Sequence, residues 1–208
     1  MIRRAFFAVV LVSISAATLM AQAGPAGWKL RIDESTSASD PDGSGSVRFT
    51  STNGGVRAVT PQAAVFWQPV ATATGTYTLK GTFALNEPSN HSNYYGLVLG
   101  GRNLDSAAQS YVYFTVAQNG TWLLKKRQGE VASDVTPRGS SAAIRRPDAG
   151  GKSSNDLEVR VGNANVDFVV NGTIVHSTPR AAIATDGLYG MRVNHFLDVT
   201  VTGLAVTR

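Results

Sequence analysis

An all-β fold, two antiparallel sheets packed face to face, is what this sequence predicts, and three observations carry the prediction. Apolar and polar residues alternate in many short runs, the period of two that marks a half-buried strand. Turn-forming pairs, Asn53-Gly54, Asn119-Gly120 and Asn171-Gly172 among them, separate the runs at intervals of about ten residues. No stretch has a convincing amphipathic-helix pattern, and only residues 179–185 have room for a single helical turn. About twelve short strands with regular turns make a sandwich.

The elements follow in order. Arg3 and Arg4, an apolar segment over residues 5–17 and the small-x-small tripeptide Ala21-Gln22-Ala23 read as a secretory leader. Cleavage near Ala23 leaves residues 24–208 as one domain, secreted or periplasmic in a bacterial envelope. The apolar segment is shorter than the roughly 20 residues a bilayer span needs, so no stable membrane span is expected. After it come a strand over residues 28–32 and a Ser/Asp/Gly-rich loop over 33–46. Two short strands flank Asn53-Gly54-Gly55, and a brief one covers residues 63–68. Tyr77, Leu79, Phe83 and Leu85 alternate with threonines and Lys80, and residues 86–93 form a polar loop.

Residues 94–129 organise the chain. Val112, Phe114 and Val116 share one face of a strand, and Tyr111, Tyr113 and Thr115 the other. After the turn at Asn119-Gly120, Trp122 and Leu124 continue the apolar face, while Lys125 and Arg127 join the tyrosines. Residues 130–154 are rich in Ser, Arg, Pro and Gly and read as one long surface loop. Strands resume over 156–161 and 166–174, turn at Asn171-Gly172, and end with 187–193 and 197–206, where Gly203 marks a bulge.

Composition removes several function classes. Apolar content of 43% with 16% charged residues describes a packed core, not a disordered chain. The formal charge of +5 includes Arg3 and Arg4 of the leader, and the longest cationic run is Lys125-Lys126-Arg127, so no nucleic-acid partner is expected. Cysteine is absent, which removes disulfides, thiol nucleophiles and thiolate metal ligands. No Gly-x-Ser-x-Gly elbow or phosphate-cradling glycine loop occurs.

The C-terminal pattern NDLEVRVGNANVDFVVNGTIVHSTP followed by DGLYGMRVNHFLDVTVTGLAV resembles the end of a concanavalin A-like jelly roll. It is most similar to the bacterial 3-keto-disaccharide hydrolase domain family and to laminin-G-like modules. That resemblance implies a two-sheet antiparallel jelly-roll sandwich with a ligand on a concave sheet face. Jelly-roll glucanases carry a Glu-x-Asp-x-x-Glu strand motif. Here the window reads Asp156-x-Glu158-x-x-Val161, with the first two acids exchanged and the third missing.

Three groups of side chains offer chemistry. Tyr111, Tyr113, Lys125 and Arg127, joined by Tyr94, Arg102 and Asn103, present aromatic faces and polar donors of the kind that grip a sugar ring. Asp156 and Glu158 on one strand, with Glu87 and His91, are the candidate acids and base for glycoside cleavage. Asp40, Asp42 and Ser44, with a glycine at the sixth position of the segment, resemble the front of a calcium loop that lacks its closing Glu. Calcium is the one cofactor this raises; otherwise none is expected. Of the three histidines, His91, His176 and His195, no two have metal-ligand spacing in sequence. An exported carbohydrate-binding protein is the leading expectation. The alternatives are a glycoside-cleaving enzyme and a non-catalytic scaffold.

Overall fold

The computed structural model describes residues 24–35 and 37–208; the expected leader lies outside them. In chain order the strands are Lys29–Ile32 (β1), Arg48–Thr52 (β2), Gly55–Thr60 (β3), Ala64–Ala73 (β4) and Tyr77–Glu87 (β5). Next come Tyr94–Arg102 (β6), Ser110–Ala117 (β7), Thr121–Gln128 (β8), Val131–Asp134 (β9) and Gly139–Ser140 (β10). Ser153–Val161 (β11), Asn165–Val170 (β12), Thr173–Pro179 (β13), Gly187–Val193 (β14) and Leu197–Thr207 (β15) complete the set. Among the described residues a single 3₁₀ turn, Arg180–Ala182, occupies the place where the sequence has room for one.

All pairings are antiparallel and build two sheets. One runs β1-β4-β14-β6-β7-β8-β10, with β9 also on β8, and the other runs β13-β12-β11-β5-β15-β3-β2. The expected sandwich is therefore correct, with fifteen strands among the described residues. The count exceeds twelve partly because residues 130–154 are not one loop. They contribute β9 and β10, which β8 recruits through pairs such as Lys125 with Asp134 and Trp122 with Gly139. The Ser/Arg/Pro/Gly composition hid them because strands this short, lying along a sheet edge, carry no apolar period.

Alternation sets what each strand buries. Val112, Phe114 and Val116 on β7 enter the interior with Phe66 on β4, Leu97 on β6 and Met191 on β14. From the opposing sheet come Leu79, Phe83, Leu157, Val159 and Phe168. Phe114 meets Phe168 across the interface at a ring-centroid distance of 5.2 Å. The outer face of the eight-stranded sheet has a smaller apolar cluster of its own: Val65, Trp67, Val98, Leu104, Tyr111 and Tyr113. This second cluster positions the site described below.

Turn chemistry follows the residues. Asn171 (φ 49°) and Gly172 (φ 83°) both take the left-handed conformation that a two-residue type I′ hairpin requires. At the β6 bulge, Gly100 (φ 62°) lies so close to the neighbouring chain that an added Cβ would sit 2.2 Å from the Ala184 carbonyl oxygen. Gly100→Ala is therefore expected to destabilise the fold by about 1–3 kcal/mol, read as a lowered thermal midpoint with unchanged far-UV circular dichroism.

Candidate functional site

One rung past β1, the Asp33 amide donates to the Ala63 carbonyl (2.7 Å) and turns its side chain over the outer face of the eight-stranded sheet. There the carboxylate accepts from the Tyr111 hydroxyl (2.8 Å) and from the Arg192 guanidinium, with Arg127 at 3.4 Å and Arg31 at 3.6 Å. Arg192 also donates to the Tyr111 oxygen (2.8 Å), and its guanidinium lies 5.1 Å from the Tyr113 ring centroid. Asp33, Tyr111 and Arg192 are 4%, 2% and 7% exposed, so the charges are removed from water and must satisfy one another.

Burial by itself would raise the Asp33 pKa, but Arg192 and Arg127, with the hydrogen bonds from Tyr111 and Arg192, hold the carboxyl below its usual range. Burial pushes the Tyr111 hydroxyl upward, so at neutral pH it stays protonated and donates. Burial would lower the Arg192 pKa, yet Tyr111 and Asp33 outweigh it and keep the guanidinium charged.

A cavity of about 630 Å³ opens on this cluster. Arg31, Asp33, Arg127, Arg192, Asn194 and His195 line it, and Glu34, Glu130, Asp40 and Asp42 contribute carboxylates to the same lining. Five carboxylates stand against three guanidinium groups. The wall offers fixed donors and fixed acceptors side by side.

At one end of the cavity lies His195, in the crossing between β14 and β15. Its carbonyl accepts from Asn93 (2.8 Å), while Phe196 donates its amide to Thr60 (2.6 Å) and takes φ 56°. These contacts hold the ring, which is 5% exposed, against His91 and the loop that carries Asp40 and Asp42.

The expected site residues fall into different places. Of the seven binding candidates, Arg127 lines this cavity and Tyr111 and Tyr113 lie beneath its floor. The two tyrosines are no open stacking platform: Tyr113 is 7% exposed, packed beside Leu104 and under Arg192. Lys125 pairs with Asp134 (3.2 Å), and Tyr94 bonds Thr121 (2.9 Å) beside Arg138. Asn103 is a turn residue (φ 51°), and Arg102 lines a separate cavity with Arg180 and Asp186.

The candidate catalytic acids do not meet. Leu157 and Val159 face the core, so Asp156 and Glu158 project from the outer face of the seven-stranded sheet. There Asp156 accepts from Thr82 (2.7 Å), and Glu158 pairs with Arg160 (2.9 Å). Glu87, at the end of β5, lines a third cavity with Asn90 and Asp198. His91 alone of the four approaches the main cavity's end, through His195.

The calcium reading also meets a different geometry. Asp42 accepts the Ser35 amide (2.6 Å) and faces Nδ1 of His195 (2.9 Å), while Asp40 turns toward both histidines. The two acids thus look at nitrogens, and Ser44 is exposed. Sequence reasoning missed Arg31, Asp33 and Arg192. Arg192 left a signal, a lone cation between the apolar Met191 and Val193 of a central strand; Asp33 looked like the first residue of a polar loop.

No protein-family model matches the chain, and no curated protein matches it by sequence. Solved structures do share its fold. A carbohydrate-binding module, CBM66, from Bacillus subtilis superposes with a TM-score of 0.63 at 9% identity, over 88% of this chain and 96% of its own. A protein of unknown function with a galectin-like fold, also from Bacillus subtilis, gives 0.53 at 14% identity, over 86% and 88%. A GH16 protein from a Bacteroides ovatus mixed-linkage glucan locus, in complex with a G4G4G3G product, gives 0.53 at 7% identity, over 84% and 92%. The domain is a concanavalin A-like jelly roll. At these identities the relationship is one of fold.

Proposed function

We propose that this protein is an exported carbohydrate-binding module whose ligand occupies the cavity above Asp33, Arg127 and Arg192. The observation that carries the reading is the lining itself: guanidinium donors and carboxylate acceptors set side by side in about 630 Å³ on an outer sheet face. A sugar hydroxyl both donates and accepts, so a mixed wall suits it better than it suits a purely anionic or cationic ligand. The shared fold with a carbohydrate-binding module and with a glucan-product complex adds support. Binding is preferred to cleavage because Asp156 and Glu158 project from the opposite sheet and Glu87 lines another cavity.

The test is a glycan array of neutral and uronate-containing polymers, followed by calorimetry on any hit. Arg127 is the residue to change, since its guanidinium reaches the cavity and is less enclosed than Arg192. Arg127→Ala is expected to weaken binding roughly ten- to a hundredfold, the worth of one charge-assisted hydrogen bond. An array without hits, or affinity unchanged in Arg127→Ala, overturns the reading. Fractionation of the producing cells tests export: the chain should appear outside the cytoplasm, shortened near Ala23.

A further inference from the structure

We propose that Asp40, His91 and His195 form a binding site for one divalent transition-metal ion of the zinc type, at the end of the cavity. The inference does not depend on what the cavity binds. It starts from three ligand atoms. Asp40 Oδ1 lies 3.1 Å from His91 Nε2 and 3.2 Å from His195 Nε2, and the two Nε2 atoms lie 3.3 Å apart. A tetrahedral zinc ion with bonds of about 2.0–2.1 Å holds neighbouring ligand atoms about 3.3 Å apart. The three side chains already have the edge lengths of one face of that tetrahedron. Among the described residues they are the one group of three such ligands that converges.

Protonation points the same way. A carboxylate only accepts, so Asp42 at 2.9 Å from His195 Nδ1 holds a proton on that nitrogen, and a bound cation takes the place of any proton that Asp40 would hold on Nε2. His91 Nδ1 likewise faces an acceptor, the Asn90 side-chain oxygen Oδ1 (2.7 Å), which holds a proton there and gives Nε2 to the ion. With the protons displaced from both Nε2 atoms, as metal binding requires, two imidazole lone pairs and a carboxylate oxygen face one another. The Asn93 amide nitrogen, 3.1 Å from His91 Nε2, is the one neighbouring donor, and it is shared with Ser89 and the His195 carbonyl. A cation bound by all three resolves the contact. Asp42 behind His195 is the arrangement that orients a metal-bound imidazole through its other nitrogen.

The set is two nitrogens and one oxygen, without thiolate, which suits zinc better than the all-oxygen preference of calcium. Three protein ligands leave the fourth position open. Asp40 and His195 both line the cavity, so that position is reached from it.

The experiment uses the full chain, stripped with chelator and dialysed against zinc, with metal counted by mass spectrometry and affinity measured by calorimetry. One zinc per chain is expected. Cobalt substitution should give the intense visible absorption of a four-coordinate site. His91→Ala and Asp40→Asn alter exposed side chains, so both should fold and both should lose at least about a hundredfold in affinity. Asp42→Asn, which keeps all three ligands, should lose roughly ten- to a hundredfold. Zinc well below one equivalent, or binding within about twofold of the parent in both His91→Ala and Asp40→Asn, overturns the proposal.

Discussion

Asp33→Asn is expected to lower stability by about 3–5 kcal/mol at neutral pH, measured by urea denaturation. Asparagine keeps the shape and removes the charge. Arg192 is then left buried without its counter-ion, and breaking a buried pair from one side costs that much because the remaining ion stays desolvated. Arg127 loses the same counter-ion, and Tyr111 exchanges a charged acceptor for a neutral one. A second variant separates charge from shape. Arg192→Met added to Asp33→Asn should restore part of the loss, because a buried apolar side chain tolerates a neutral neighbour. A cost below about 1 kcal/mol for Asp33→Asn would mean that Asp33 is not the counter-ion the geometry describes.

The same carboxyl sets a pH dependence. Its folded pKa lies below the ordinary value of about 3.9, so its contribution is fully present above that value and is lost as pH falls through the folded pKa. The stability gap between the parent protein and Asp33→Asn should hold from neutral pH to roughly pH 4–5 and close in stronger acid.

Phe114→Ala is expected to cost about 3–5 kcal/mol as well, for a different reason. Phe114 has no exposed surface, and its ring meets Phe168 of the facing sheet at 5.2 Å. Truncation removes apolar surface from both layers and leaves a cavity that two paired sheets have little freedom to close. Val131→Ala, at a position 69% exposed on β9, should stay within about 0.5 kcal/mol. Thermal or urea unfolding of both variants checks the contrast. Similar losses in the two would deny that the sheets share one packed interior.

The fold was legible because its signal is local. Val112, Phe114 and Val116 announced a strand by period alone, and Asn171-Gly172 announced the turn that joins β12 to β13. The site was less legible because it is assembled from residues far apart in sequence. Asp33 reaches Arg192 across 159 positions and Tyr111 across 78, and nothing in the immediate neighbourhood of any of them marks the meeting. The tyrosine and arginine face of β7 and β8 was read on the correct side of the strand. What covers it, Leu104 and Arg192, was not legible, because period separates the two faces of a strand without saying what lies over each. His91 and His195 come together through a crossing between sheets that sequence spacing does not reveal.

Leu197–Thr207 pairs with β5 on one side and β3 on the other, so the stretch that emerges last among these strands fills the middle of the seven-stranded layer. Until it has been synthesised, β3 and β5 each expose a row of unsatisfied amides and carbonyls, and the halves of that layer have nothing to join them. Maturation of this domain therefore waits for the whole chain, through contacts of long sequence separation that form slowly. A nascent polypeptide halted before residue 197 should remain protease-sensitive and open to holding by chaperones, the state in which a chain is still competent to be threaded through a membrane pore.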